Sequence, residues 1–201
     1  MHIYILQNGF IIKHTHTHTY PHTYIHTYIH KGGVLSCATA FFALLNPGDE
    51  VLLSDPGWPN YHMAASLAHA KSVFYPLLPQ HNFLPRVQDL ERLLSARTKL
   101  LLINSPSNPT GQVFPKQLLA EILDFARANE LYVLSDEIYS DIVFDGPSAP
   151  SALPYDTDDR VILVSGMSKN YAMTGFRVGF TRASPEYIKV LGRTCAYLHL
   201  W

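Results

Sequence analysis

The chain has 201 residues, of which 47% are hydrophobic and 15% are charged, and its formal net charge is −1. This length and composition fit one sizeable domain, or two small ones, around a packed core. The near-zero charge argues against a basic surface for nucleic acid and against a polybasic membrane patch, and no apolar run is long enough to span a bilayer.

The cysteine content indicates a reducing compartment. Cys37 and Cys195 are too few for a disulfide framework, and neither lies in a pair with metal-ligand spacing. We therefore expect free, buried thiols and no metal site. The first residues lack the basic leader and the small-residue cleavage site of a signal peptide. Together these features predict a cytoplasmic location.

Residues 1–31 form a low-complexity segment that is rich in His, Thr and Tyr. Alternating histidines could bind a transition metal, because side chains at i and i+2 share one face of a strand. The segment could instead be a disordered tail. We favour a third interpretation, a translated nucleotide repeat. CA repeats encode His-Thr alternation and TA repeats encode Tyr-Ile alternation, so this interpretation accounts for both patterns at once.

From Gly32 onward, helical and strand patterns alternate. Apolar residues at helical spacing after the Gly32–Gly33 turn predict the first helix. In chain order, the patterns predict helix 34–45, strand 50–54, a helix ending near 69, strand 72–77, helix 87–96, strand 99–104, helix 115–129, strands 131–135, 160–164 and 177–181, and a helix over 185–191. This alternation predicts an α/β fold with a mostly parallel sheet and helices on both faces, which is a three-layer α/β/α architecture.

Three polar side chains follow predicted strands. Asn108 comes after one strand, Asp136 follows a second and Lys169 follows a third. Ligands of such sheets bind at the carboxyl ends of the strands, so these residues predict a site. Lys169 lies among small residues after a buried strand. We therefore expect a desolvated amine, whose pKa is lowered and which can form a Schiff base. The alternative is a solvated loop lysine, which is the usual case for a lysine taken alone. Tyr139 would point to the same side as Asp136 if that segment turns helical.

Further residues offer groups that suit a small anionic, aromatic cofactor. Gly33 opens a helix after a glycine turn, where backbone N–H groups attract an anion, and Arg177 can bind a phosphate bidentately. Trp58 could stack on a flat ring. Asp136 needs a partner for its buried charge, which could be a protonated ring nitrogen or an arginine. Each residue taken singly also has an ordinary structural explanation.

Four segments resemble hallmarks of one enzyme family. Gly166–Gly179 matches the lysine signature of the class I/II pyridoxal-phosphate aminotransferases, and Asn104–Gly111, Ser135–Tyr139 and Asn46–Glu50 resemble three more of its motifs, in the family's order and spacing. The resemblance covers residues 32–192, and Ala172–Arg177 is most similar to the bacterial-type aspartate aminotransferase branch. Residues 193–201 do not resemble the family and are interpreted as a tail.

The resemblance implies the large cofactor-binding domain of fold type I enzymes. Because family members are much longer than this chain, we expect the small domain to be largely missing. It implies that Lys169 is the catalytic residue, which holds pyridoxal 5′-phosphate and then moves the substrate α-proton. It assigns Asp136 to the ring nitrogen, Asn108 and Tyr139 to the ring oxygen, Trp58 to the ring face, and Gly33, Val34 and Arg177 to the phosphate. The family's strand before the glycine turn lies at a sheet edge, and here that place falls to Tyr24–Ile29.

The predicted function is therefore transfer of an amino group between an amino acid and a 2-oxo acid. One alternative is an inactive fragment or mispredicted gene product that at most binds pyridoxal phosphate. Another is a pyridoxal-phosphate lyase, such as a carbon–sulfur β-lyase. The predicted partners are the small-molecule substrates, with no nucleic acid and no membrane, and the resemblance implies a homodimer for the intact protein.

Overall fold

The computed structural model describes residues 2–6, 9–13 and 26–198. Most of the His/Thr repeat, residues 14–25, lies outside the described residues, as does the end of the predicted tail, residues 199–201. None of the helices within the described ranges has the length and hydropathy needed to cross a membrane.

The described residues contain nine strands, which form one sheet. They are β1 (His2–Leu6), β2 (Gly9–Lys13), β3 (His26–His30), β4 (Glu50–Asp55), β5 (Lys71–Pro76), β6 (Thr98–Asn104), β7 (Tyr132–Asp136), β8 (Val161–Gly166) and β9 (Gly179–Ala183). Their order across the sheet is β1-β2-β3-β9-β8-β7-β6-β4-β5. Strands β4 to β8 run parallel to one another, whereas β9 is antiparallel to both of its neighbours, β8 and β3. The predicted mostly parallel sheet is confirmed.

In the part of the chain that the structure describes, six helices accompany the sheet. They are α1 (Gly33–Leu44), α2 (Pro59–Leu67), α3 (Val87–Leu93), α4 (Lys116–Ala128), the single-turn α5 (Met167–Asn170) and α6 (Pro185–Leu198). Every predicted helix and strand is present, but two boundaries differ in ways that matter for the site and the tail. The predicted strand 177–181 begins only at Gly179, because Arg177 has a φ of 53° and so lies in a turn. The last predicted helix continues to Leu198.

Two hydrophobic cores lie on opposite faces of the sheet, because alternate strand residues point to opposite sides. In β4, Val51 and Leu53 pack into the core that also holds buried residues of α1, α2 and α6. Leu52, between them, packs into the other core with buried residues of α3 and α4. This alternation confirms the three-layer α/β/α architecture.

The expectation that the strand before the glycine turn lies at a sheet edge is wrong. Strand β3 lies inside the sheet, because β2 pairs with its outer side and β1 continues the sheet beyond β2. Tyr28 and His30 of β3 are buried, with 2% and 4% of their surfaces exposed. The imidazole Nε2 of His30 lies 3.0 Å from Thr181 Oγ1 on β9. Part of the His/Thr/Tyr segment is thus packed into the core.

Candidate active site

One cavity of about 210 Å³ opens at the carboxyl ends of β6, β7 and β8, beside the start of α1. The register of the parallel strands places these ends level, since Asn104 pairs with Asp136 and Asp136 with Val164. All eight residues singled out from the sequence line this cavity: Gly33, Val34, Trp58, Asn108, Asp136, Tyr139, Lys169 and Arg177. Four further lining residues were missed: Tyr61, Ile138, Ser168 and Thr174.

One end of the cavity suits an anion. The chain turns at Gly32, whose φ is 88°, and enters α1, whose start carries no side-chain cap. The first N–H groups of a helix have no acceptor within the helix, so they are free to bind an anion. The Arg177 guanidinium lies against Gly32 and donates from Nη1 to the Thr174 carbonyl at 3.2 Å. This end therefore combines backbone donors with a fixed positive charge.

A close backbone contact fixes this end of the site. A Cβ on Gly179, at the start of β9, would stand 2.4 Å from the carbonyl carbon of Gly32 and 2.5 Å from the nitrogen of Gly33. Only a residue without a side chain allows the glycine turn to approach β9 so closely. The contact therefore sets where α1 begins relative to the sheet.

Asp136 is the buried acid at the floor of the cavity, with 5% of its surface exposed. Its Oδ2 accepts hydrogen bonds from the Tyr61 hydroxyl at 2.7 Å and from the Cys37 thiol at 3.7 Å, and its Oδ1 accepts from the Ile138 N–H at 3.1 Å. Burial raises the pKa of Asp136, and these hydrogen bonds act in the opposite direction. Its donors within the described ranges are uncharged, so the carboxylate retains a strong affinity for a cationic N–H.

Asn108 and Tyr139 meet beside this acid. The Asn108 Nδ2 donates to the Tyr139 hydroxyl at 3.4 Å, so two polar groups that can donate to one ring oxygen lie together. Asn104 connects them to the sheet, because its Oδ1 accepts from the Asn108 N–H at 2.7 Å while its Nδ2 donates to the Asp136 carbonyl at 3.0 Å. The loop after β6 is thereby held against the end of β7.

Lys169 lines the cavity from α5, but the expectation of a desolvated amine is wrong because its side chain is exposed. The cause is its position on the single-turn helix that follows β8, at the open side of the cavity. Its Nζ lies 6.0 Å from the centre of the Tyr139 ring. The amine can therefore reach an aldehyde placed in the cavity, without burial as the source of its reactivity.

Trp58 precedes α2 and is half-buried, with its ring centre 5.1 Å from that of Tyr61 at an interplanar angle of 83°. This is an edge-to-face contact between aromatic rings. Tyr61 follows Trp58 by three residues, which is one helical turn, and this spacing is the sequence signal that could have identified it as a further site residue.

The chemistry of these groups fits pyridoxal phosphate. The glycine turn, the start of α1 and Arg177 form a cradle that suits the phosphate, and a Cβ on Gly32 would stand 2.6 Å from Arg177 Nη2 and so fill it. The buried carboxyl of Asp136 suits a protonated pyridine nitrogen, and the Asn108–Tyr139 pair suits the ring oxygen. The amine of Lys169 suits the aldehyde.

Comparison with known proteins identifies one family. Residues 14–196 match the family model described as aminotransferase class I and II. A probable aspartate/prephenate aminotransferase of Thermus aquaticus is 35% identical over 161 residues, and an LL-diaminopimelate aminotransferase of Halothermothrix orenii is 37% identical over 153 residues. These matches cover 80% and 76% of this chain but only 41% and 39% of the relatives. The chain thus spans about two fifths of their length.

A solved structure shares the fold. The aromatic aminotransferase of Pyrococcus horikoshii aligns with 85% of this chain and 46% of its own, at 35% identity and a TM-score of 0.82. Class I and II aminotransferases depend on pyridoxal phosphate, so both the cofactor and the family predicted from the sequence are confirmed. The chain belongs to the aminotransferase class I and II family.

Proposed function

We propose that this chain carries the cofactor-binding part of an enzyme that transfers an amino group between an amino acid and a 2-oxo acid. The observation that carries the proposal is the convergence of an amine, a buried acid, a guanidinium and an aromatic ring in one cavity, from three separate parts of the chain. The family supports the reaction class. The activity of the whole protein is part of the proposal, because the chain spans about two fifths of its relatives.

The phosphate end and the ring face of the site would bind the cofactor. The backbone N–H groups of Gly33 and Val34, together with Arg177, would hold the phosphate through charge-assisted hydrogen bonds. The indole of Trp58 would stack on the ring. These contacts would hold the cofactor in the cavity that Lys169 also lines.

Three residues would control protons. Asp136 would keep the ring nitrogen protonated, and Asn108 and Tyr139 would hydrogen-bond the ring oxygen. Pyridoxal phosphate, when bound, supplies an electron sink that stabilises a substrate carbanion. Lys169 would act as the general base and acid that moves the α-proton of the substrate.

The relatives differ in the amino acids for which they are named. The names include aspartate, prephenate and LL-diaminopimelate, and the structural relative is called an aromatic aminotransferase. Amino transfer to or from a 2-oxo acid is the chemistry that such enzymes share, whereas the side chain of the substrate varies. We therefore propose the class of substrate and not one amino acid.

We further infer a cytoplasmic location and a homodimer for the intact protein. Cys37 and Cys195 are buried and neither forms a disulfide bond within the described residues, which suits a reducing compartment. Met63, Leu67 and Phe74 expose 57%, 69% and 47% of their surfaces, and exposed apolar side chains of this size favour association. Light scattering after gel filtration tests the dimer, and a monomer at every concentration would contradict it.

Cofactor binding is the first test of the proposed function. The purified 201-residue chain should turn yellow with pyridoxal phosphate, and Lys169→Ala should abolish the colour. Lys116→Ala, on the exposed start of α4, is the matched control and should leave the colour unchanged. A wild-type chain that stays colourless would refute even cofactor binding.

The reaction is tested separately on the coloured protein. A half-reaction that bleaches the yellow form with an amino acid, and is reversed by a 2-oxo acid, is the expected result. Colour without any half-reaction would favour the inactive fragment. Release of pyruvate and ammonia from a cysteine conjugate would favour the carbon–sulfur β-lyase.

A further inference from the structure

Tyr61 connects two parts of the site that no sequence motif connects. It lies on α2, only 3% of its surface is exposed, and it lines the cavity. Its hydroxyl contacts Asp136 and its ring forms a T-shaped contact with the Trp58 indole. One side chain thus touches both the acid proposed for the ring nitrogen and the indole proposed for the ring face.

The hydroxyl of Tyr61 is a donor to the acid. Burial and the charge of Asp136 raise the pKa of Tyr61 well above its ordinary value, so the hydroxyl keeps its proton and donates to Oδ2 at 2.7 Å. The Ile138 N–H holds the other oxygen at 3.1 Å. With a donor on each oxygen, the plane of the carboxylate is fixed and its ionised form is favoured against burial.

The Cys37 thiol is a weaker second contact on the same oxygen. It lies 3.7 Å from Oδ2, and burial raises its pKa well above its ordinary value, so it also remains protonated. A thiol is a weak hydrogen-bond donor. The hydroxyl is therefore the main side-chain group that orients Asp136.

The ring of Tyr61 packs against the indole of Trp58. Trp58 occupies the position before α2 with an extended backbone and no side-chain cap hydrogen bond, so its orientation depends on packing. The T-shaped contact with Tyr61, at 5.1 Å between ring centres and an interplanar angle of 83°, restrains the orientation of the indole.

We propose that Tyr61 is a positioning residue of this site, whose hydroxyl fixes the Asp136 carboxylate and whose ring fixes the Trp58 indole for a bound pyridine ring. The role toward a pyridine ring rests on the proposed function. The hydrogen bond from Tyr61 to Asp136 does not depend on the proposed function, because it is present in the protein without cofactor.

The first experiment uses the cofactor-free chain. The pKa of Asp136 is measured by carbon-13 NMR of labelled aspartates, with Asp136→Asn to assign the signal. Tyr61→Phe should raise this pKa, because the ionised carboxylate loses its donor. Tyr75→Phe is the matched control: Tyr75 is equally buried and donates to the Leu102 carbonyl at 2.9 Å. It should leave the pKa of Asp136 unchanged.

The groups that face Asp136 must be separated from Tyr61 in this titration. They are Cys37 on α1, which contacts the carboxylate, and Tyr139, Lys169 and Arg177, which line the same cavity. None is altered by Tyr61→Phe, so a change in the pKa of Asp136 reports the missing hydroxyl. An unchanged pKa in a folded Tyr61→Phe protein would overturn the proposal.

The second experiment follows the cofactor. Trp201→Phe leaves Trp58 as the single tryptophan, because the sequence contains two. In this background pyridoxal phosphate should quench Trp58 fluorescence. Tyr61→Phe should bind about tenfold more weakly yet keep the quenching at saturation, whereas Tyr61→Leu should also reduce that quenching. Tyr75→Phe should match the background protein.

The outcomes distinguish the two proposals. If the background protein binds no pyridoxal phosphate, the proposed function fails, and the NMR titration still decides whether Tyr61 holds Asp136. If the protein binds the cofactor and both Tyr61 variants retain its affinity and quenching, Tyr61 is not a positioning residue.

Discussion

The guanidinium of Arg177 packs directly against Gly32. A Cβ on this glycine would stand 2.6 Å from Nη2 and 3.1 Å from the central carbon of the guanidinium. Gly32 also has a φ of 88°, a conformation that disfavours side chains. The contact brings the positive charge to the start of α1, where the phosphate would bind.

Gly32→Ala should therefore weaken anion binding as well as stability. The backbone strain should cost about 1 kcal/mol, and displacement of Arg177 should reduce the affinity for pyridoxal phosphate at least about tenfold. Gly48→Ala is the matched control, because Gly48 has the same φ of 88° and no atom within 4 Å of its added Cβ. Calorimetric titration measures the affinity. Equal losses of affinity in both variants would contradict the role of the contact.

Gly179→Ala should destabilise the fold more than an alanine substitution at a glycine whose added Cβ would meet no other atom. Its Cβ would overlap backbone atoms of Gly32 and Gly33, at 2.4 Å and 2.5 Å, and these cannot move without separating α1 from β9. We expect a loss of about 3 kcal/mol in the free energy of unfolding, measured by urea denaturation. Gly175→Ala, with nothing within 4 Å, should cost little. Similar losses of stability in Gly179→Ala and Gly175→Ala would contradict the close approach of β9 to the glycine turn.

Glu137 should give stability a pH dependence. Its Oε1 accepts hydrogen bonds from Ser135 at 2.9 Å, Ser151 at 3.1 Å and the Ala152 N–H at 2.9 Å, which hold the loop after β7. Burial raises the pKa of Glu137, although these bonds and Arg182 oppose the shift. The folded chain thus binds this proton more tightly than the unfolded chain. The contribution to stability is complete below the unfolded pKa and is lost as the pH rises through the folded pKa.

Glu137→Gln should remove this dependence, because the amide is neutral and its oxygen can still accept the three hydrogen bonds. The free energy of unfolding of the variant, minus that of wild type, should rise as the pH goes from acid to neutral. The exposed Glu91 provides the control, and Glu91→Gln should give a nearly flat difference. A flat difference for Glu137→Gln would contradict the raised pKa.

The end of α6 should contribute to stability, although the sequence alone predicts a tail from residue 193 onward. Cys195 is 1% exposed and packs in the core that contains Tyr28, whereas Tyr197 is 72% exposed. Cys195→Ala should cost about 1 kcal/mol in the free energy of unfolding, and Tyr197→Ala should cost less than about 0.5 kcal/mol. Urea denaturation measures both. Equal, negligible costs would mean that this part of α6 is not packed on the fold.

The order and type of the elements follow from the sequence alone. Apart from the single-turn α5, apolar periodicity identified the helices and strands between residues 32 and 192, because each of these elements must bury one or both faces. The residues after β6, β7 and β8 also predicted the site, since the carboxyl ends of parallel strands meet at one edge. Asn108, Asp136 and Lys169 line one cavity for this reason, and the other five predicted residues line the same cavity.

Other features depend on contacts between residues that are distant in the sequence. The pairing of β3 with both β2 and β9 could not be inferred from a low-complexity segment, whose repeats permit many registers. The exposure of Lys169 depends on where the single-turn α5 lies relative to the cavity, and the small neighbours in the sequence suggested burial instead.

The sequence by itself determined the fold class, the family, the cofactor and the residues that meet at the site. Only the tertiary structure decided how these residues hold one another. Tyr61 and Asp136 are 75 positions apart, and Gly32 lies against Arg177 although the two belong to different ends of the chain. Local patterns in the sequence indicate which faces of a helix or strand are buried and which turns are possible. They do not record which atoms finally touch, because those contacts form only when the strands and helices are packed together.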